Sequence, residues 1–333
     1  MLRVIYAISS DVILAPLPLT RPAVKPLEDC DIADKTELAA YRALRERAHD
    51  LLRGDEEHSI FAQLIDFNWR DAIYRIINEA RRTVSADRKN AAVAPVLGEF
   101  IDQSYVMGVV AAVGRLTDPP SIDSGKGVVS LPTVLRLLRD HHDLVRREMF
   151  VCFDGVPYDP TPQEEPWEPG VRWVARTPQD ISGDRHALFD RLSRKTPDRR
   201  ARTDVVHRKV LAAMEDRLAH RAIAGIRRHR NKVVSHAADA TSRAGSERFG
   251  LSLATVDDAG RALIEVTETL ATILTGEILI GMPVPVATFD ILEDFSEPFA
   301  FDSDLEALQD LWDHTARTRE GWSETAVSAV LGR

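Results

Sequence analysis

Between Arg217 and His236 the chain carries six lysines and arginines and no acid. The cations are Arg217, Arg221, Arg227, Arg228, Arg230 and Lys232, interleaved with His220, His229 and His236. Like charges three or four positions apart on a helix repel by about 0.2–0.5 kcal/mol per pair. A run of this kind therefore calls for an anionic partner, or for acids supplied from elsewhere in the fold. Acids are available: Phe289–Asp310 holds eight and no base. Docking of the basic helix onto that stretch is the plainer alternative to an external polyanion.

Other chemically capable residues stand in poorer company. His141-His142-Asp143 offers metal-ligand types, but adjacent helical side chains diverge by about 100°, so a solvated helix face explains them better. No metal site and no cofactor are expected. The chain has no His-Glu-x-x-His, no Walker loop and no Rossmann glycine pattern, and Gly125-Lys126-Gly127 is too short to cradle a phosphate. Ser182, Ser193 and Ser235 lack the strand–turn–helix context of a nucleophilic serine. Asn68-Trp69-Arg70-Asp71 could line a pocket, though contacts of Arg70 and Asp71 with neighbouring helices account for it more simply. Arg115 and Asp118 read as an ion pair at a helix end. The only two cysteines, Cys30 and Cys152, exclude a disulfide framework and suit a reducing, cytoplasmic setting.

The elements that must position the basic run are helical. Leu38, Tyr41, Leu44, Ala48 and Leu51 recur at steps of three and four, predicting a helix over 37–52 with one apolar stripe. Further helices are expected over 56–84, over 93–116, and from a Ser130 cap with Pro132 in the first turn to about Met149. Phe153–Asp184, with six prolines and two tryptophans, reads as an irregular excursion. A short helix is expected over 186–195 and a long one from Thr203 through the basic run. Another spans 255–281, capped by Thr255, and a last one 305–319.

The ordinary apolar content and scarce aromatics fit an all-α bundle. A net charge of −9 argues against a generally nucleic-acid-coating protein, so any polyanion would be met locally. Val4–Leu19 is interrupted by Ser9, Ser10 and Asp11, making a poor signal peptide and too short a membrane span; no membrane partner is expected.

The basic run also carries a resemblance. Arg230-Asn231 followed by His236 is similar to the Arg–polar…His pattern of HEPN domains. Arg115-Leu116-Thr117-Asp118, Ser130-Leu131, Leu137-Leu138, Phe189-Asp190-Arg191-Leu192 and Arg230-Asn231-Lys232…Ser235-His236-Ala237…Asp239 together resemble the AbiU-type abortive-infection branch, over roughly 37–280. The resemblance implies a metal-independent endoribonuclease used in antiviral defence, as toxin or abortive-infection protein. His236 would exchange a proton with the ribose 2′-hydroxyl, Arg230 would clamp the phosphate, and Asn231 would orient the backbone or the His. Arg221, Arg227, Arg228 and Lys232 would hold the RNA, and the 2′-hydroxyl requirement excludes DNA as substrate.

Six residues at about 100° each leave Arg230 and His236 about 120° apart on an ideal helix. A helix break or a second copy is needed, and HEPN proteins generally pair two copies, so a homodimer with a composite cleft is expected. An antitoxin or regulatory protein is a further partner, but Ala238 stands where nucleotidyltransferase-controlled HEPN toxins carry Tyr, which departs from that mode of control. The expected layout is a lead-in over 1–35, a HEPN-like bundle over 36–282 with an insertion at 153–184, and an acidic extension over 283–333. The alternative is a non-catalytic HEPN-like module that binds RNA, a nucleotide or a protein.

Overall fold

The computed structural model describes residues 24–83, 95–120, 127–161, 177–234, 251–276 and, within 306–318, all but 308 and 315. Among the described residues the chain is helical, with a single isolated antiparallel bridge between Arg146 and Val205. Contacts divide it into two compact units: Met1–Ile76 with Ile101–Val286, and Ile77–Phe100 with Ala287–Arg333.

The first unit is built around one helix. α1 is Lys35–His49, α2 Ile60–Thr83, α3 Pro95–Leu116, α4 Leu131–Asp140, α5 Arg147–Cys152, α6 Pro178–Ser193, α7 Arg208–Leu218, α8 Arg221–His229 and α9 Leu253–Thr275. α9 is buried along its whole length, from Val256 through Leu263, Val266 and Leu270 to Leu274, and α1, α4, α7 and α8 pack onto it. Its charged residues, among them the exposed Asp257 and Arg261, keep to the remaining side, so the helix is amphipathic and buries the face that the others cover. The stripe Leu38, Tyr41, Leu44 and Ala48 of α1 is buried as its spacing predicts. The end of α9 is closed twice. Gly276 turns left-handed (φ 68°) and returns its N–H to Thr272 O, while Arg45, stacked 3.6 Å above the Phe153 ring, donates to Thr275 O. A cation at the carbonyl end of a helix is where the dipole favours one.

α2 and α3 are joined by a polar zipper. Tyr74 and Tyr105 stack with centroids 3.7 Å apart, Tyr74 Oη donates to Asp102, and Tyr105 Oη to Asp71. Asp71 thus makes the inter-helix contact expected of it, whereas Arg70 pairs with Asp66 on its own helix. The Val96–Leu116 stretch of α3 is long and apolar enough to cross a membrane (mean hydropathy 1.3). Its C-terminal half, however, is core: Val109, Val110, Ala112, Val113 and Leu116 are buried. In the second unit, the described residues Val96, Phe100, Leu311 and Trp312 are exposed.

Several boundaries differ from expectation, among them the end of α9, which stops at Thr275 rather than at 281. The helix predicted to run to Met149 stops at Asp140, a 3-10 turn follows over His142–Leu144, and α5 starts afresh at Arg147, with Arg147 N donating to Asp204 O and Glu148 N to Arg202 O. The long helix predicted from Thr203 is two helices, broken at Ala219 (φ −84°, ψ 2°), with His220 Nδ1 accepting from Ala222 N to cap α8. The cap of α9 is Ser252, whose Oγ accepts from Thr255 N, rather than Thr255 itself.

α6 begins at Pro178, so 178–184 is helix and not part of the irregular excursion. Thr177 Oγ accepts from Asp180 N at 3.2 Å and Asp180 Oδ2 accepts from Thr177 N at 2.7 Å, a reciprocal capping box with proline in the first turn. Thr177→Ala should lower the unfolding free energy by about 1 kcal/mol, with Thr177→Ser restoring most of it in urea titrations. An alanine variant indistinguishable from wild type would show that this cap stabilises nothing. Residues 1–23 and 162–176, which include Trp167 and Trp173, lie outside the described residues.

Candidate RNA-contact site

α8 turns Ala222, Ile223 and Ile226 inward against α9 and leaves Arg221 and Arg228 exposed. Arg227 is half-buried, and its Nε has no hydrogen-bond partner. None of these three arginines has a carboxylate partner among the described residues. Part of the basic run is answered from within the fold: Arg217 pairs with Glu265 on α9 at 2.5 Å, and Arg230 with Asp118 at 2.7 Å. The expected pair between Arg115 and Asp118 is not formed. Arg115 is exposed, and the Asp118 carboxylate is taken by Arg230, 112 positions further along the chain.

The residues around Arg230 come from three elements. After His229 the helix widens into one π-type turn, Arg230–Val234. Such turns are rare and recur at functional sites. The Arg230 side chain crosses α3 at Gly114 so closely that a Cβ there would lie 2.5 Å from Nη1 and 2.7 Å from Cδ. Its Nη1 then donates to Asp118 Oδ1, and its Nε donates to Asn231 Oδ1 at 3.1 Å. Asp118 is itself anchored, because its carbonyl accepts from Ser130 Oγ at 2.7 Å, the same hydroxyl that caps α4. Three of the short phrases singled out in the sequence, 115–118, 130–131 and 230–231, therefore meet at one point. With side chains 21% and 36% exposed, the Arg230–Asp118 pair contributes only about 0.2–1 kcal/mol. What it fixes is where the guanidinium points. Lys232 is half-buried on the same turn, and Ser235, His236 and Ala238 lie outside the described residues.

A second polar cluster was not foreseen. Arg147 is 0% exposed and donates to Asp190 Oδ1 (2.8 Å), Asp204 Oδ2 (3.0 Å), Ser193 Oγ (3.2 Å) and the His186 carbonyl (3.3 Å). Arg200 shares Asp190 from the other side at 2.8 Å. The cluster ties α5 and α6 to the stretch following α6. In sequence Arg147 is half of an Arg-Arg doublet with no distinguishing mark; only the Phe189-Asp190 phrase pointed near it. Two of the three serines without nucleophile context are occupied, Ser182 Oγ donating to Pro157 O and Ser193 Oγ to Phe189 O. His142 Nε2 is bonded to Val206 O at 2.7 Å. Both cysteines are buried, and burial pushes the Cys152 thiol up to about 12, away from thiolate chemistry.

The family description AbiU2, of the HEPN class, matches residues 55–297. No curated protein and no solved structure matches the chain. The matched span takes in α3, the α4 cap, the buried cluster around Asp190 and the whole basic run, and on that match the chain belongs to the AbiU2 family of HEPN proteins.

Proposed function

We propose that the protein is a metal-independent endoribonuclease of the abortive-infection type, acting as a homodimer in which two Arg230/His236 sets share one composite cleft. The observation that carries this reading is the presentation of Arg230. Its guanidinium is held by Asp118 and Asn231 with Nη2 unengaged among the described residues, beside three arginines with no acidic partner there. Excess cationic charge next to an oriented planar fork is what a phosphodiester requires.

The chemistry balances without further reagents. The His236 imidazole takes the 2′-hydroxyl proton, the 2′-oxygen forms a bond to phosphorus, and the bond from phosphorus to the 5′-oxygen breaks. The leaving oxygen takes a proton from the imidazolium of the second copy, which is left neutral, and Arg230 holds the non-bridging oxygens as charge builds on them. The products are a 2′,3′-cyclic phosphate and a 5′-hydroxyl. In this reading the protein works in the cytoplasm, and an antitoxin or regulatory protein restrains it until infection.

Purified full-length protein should cut single-stranded RNA in EDTA and leave the matched DNA intact. His236→Ala and Arg230→Ala should each slow cutting by at least about a hundredfold. A His236→Ala protein that cuts as fast as wild type would remove the proposal. RNA bound through Arg230 but cut by neither protein would select the non-catalytic module instead.

A further inference from the structure

We propose that Gly114 and Asp118 are positioning residues for Arg230, forming a cradle at the C-terminal end of α3 that fixes the direction of its guanidinium. This rests on the ribonuclease reading above. Glycine inside a helix weakens it relative to alanine, so Gly114 needs a reason. The reason on view is space, since Arg230 Cδ and Nη1 occupy the place a methyl group would fill. Asp118 then takes Nη1 at 2.7 Å and Asn231 takes Nε at 3.1 Å. The Asp118 backbone is itself held, its carbonyl accepting from the Ser130 hydroxyl at the start of α4, which sets where the carboxylate starts from. A floor, a side anchor and a rear anchor leave Nη2 as the donor presented to a phosphate oxygen. A phosphate clamp of this kind acts through orientation, and misplacement by about 1 Å costs rate rather than stability.

The substitutions separate those two effects. In Gly114→Ala the new methyl meets the flexible end of a side chain, so the fold accommodates it, and alanine is the better helix former. The expected result is a Tm at or above that of wild type, with RNA cleavage in EDTA reduced at least tenfold, chiefly in kcat. Asp118→Ala should show the same split, and Asp118→Asn, which keeps an oxygen for Nη1, should recover part of the rate. A Gly114→Ala protein that cuts RNA at the wild-type rate overturns the proposal, as does a loss of rate that only tracks a loss of Tm.

Should the wild type cut no RNA, the ribonuclease reading falls by itself, and the cradle is decided by thermal unfolding. Gly114→Ala should then raise Tm more in an Arg230→Ala background than with Arg230 present. Equal shifts in the two backgrounds overturn it.

Discussion

Asp190→Ala should destabilise the protein by about 3–5 kcal/mol, the scale of a buried ion pair that loses one partner. Asp190 is the shared acid between two guanidinium groups. Its Oδ1 accepts from Arg147 Nη1, and its Oδ2 from Arg200 Nε (3.1 Å) and Nη2 (2.8 Å). Alanine leaves Arg147 with Asp204 as its only carboxylate and strips Arg200 of its acid. Both arginines are almost fully withdrawn from water, at 0% and 5% side-chain exposure. A cation in that position cannot recover its hydration, so the full desolvation cost remains. Domains are stable by only about 5–15 kcal/mol, and the loss should appear as a fall in Tm on the order of 10 °C. Asp190→Asn, which keeps the shape and one acceptor, should fall between the two. Asp198→Asn serves as control, since Asp198 meets Arg199 at 3.7 Å in the open, where such a pair is worth about 0.2–1 kcal/mol. If Asp190→Ala unfolds within about 0.5 kcal/mol of wild type, the cluster is not the clamp between α5 and α6 that its geometry describes.

That cluster also shows what a single chain does and does not disclose. Periodicity placed α1 to α3 because the signal is local: Leu38, Tyr41, Leu44 and Ala48 face one way whatever surrounds them. Ser130 with Pro132 announced the start of α4 for the same reason. The breaks at Asp140 and at Ala219 carry no Pro or Gly. The first passes through a 3-10 turn, His142–Leu144, and the first amides of the helix that follows are taken by Asp204 and Arg202, more than fifty positions away. The second is capped by a histidine, a residue outside the usual cap preferences. The signal for α6, Thr177-Pro178 followed by Asp180, was present and was outweighed by the prolines before it.

At the candidate site the basic run was legible as excess charge, but the acid that meets Arg230 lies just past the end of α3, and nothing within the run pointed to it. Gly114 falls inside the helix expected over 93–116 and carries no mark of its role there, which is to make room for an arginine. Pairwise geometry between segments is the part that composition and spacing do not encode.

His186 should make the protein acid-sensitive above the range in which ordinary carboxylates titrate. Its side chain is fully buried on α6. Its Nδ1 faces Arg147 Nη1 at 3.5 Å, and its ring meets Tyr158 at 4.7 Å in a T-shaped contact. Nδ1 therefore accepts from the guanidinium, and a second ring proton there would confront a fixed cation. Burial first, then the charges of Arg147 and Arg200, lower its pKa to about 4; Asp190 and Asp159 oppose the shift without cancelling it.

The sign follows from the two states. Above about pH 6.5 the imidazole is neutral folded and unfolded, and its contribution is complete. As pH falls from 6.5 to 4, the unfolded chain takes a proton that the folded chain refuses, and stability drops by about 3 kcal/mol, about 2 of them by pH 5. His186→Phe keeps a flat ring against Tyr158 and removes the titration, so its unfolding free energy should fall less than that of wild type between pH 7 and 5, whatever its absolute value. Parallel curves for the two proteins over that window would sink the assignment. So would a His186 imidazole resonance that titrates with a midpoint near 6.5, because a ring that takes its proton there cannot be held against Arg147 and Arg200 in the folded state.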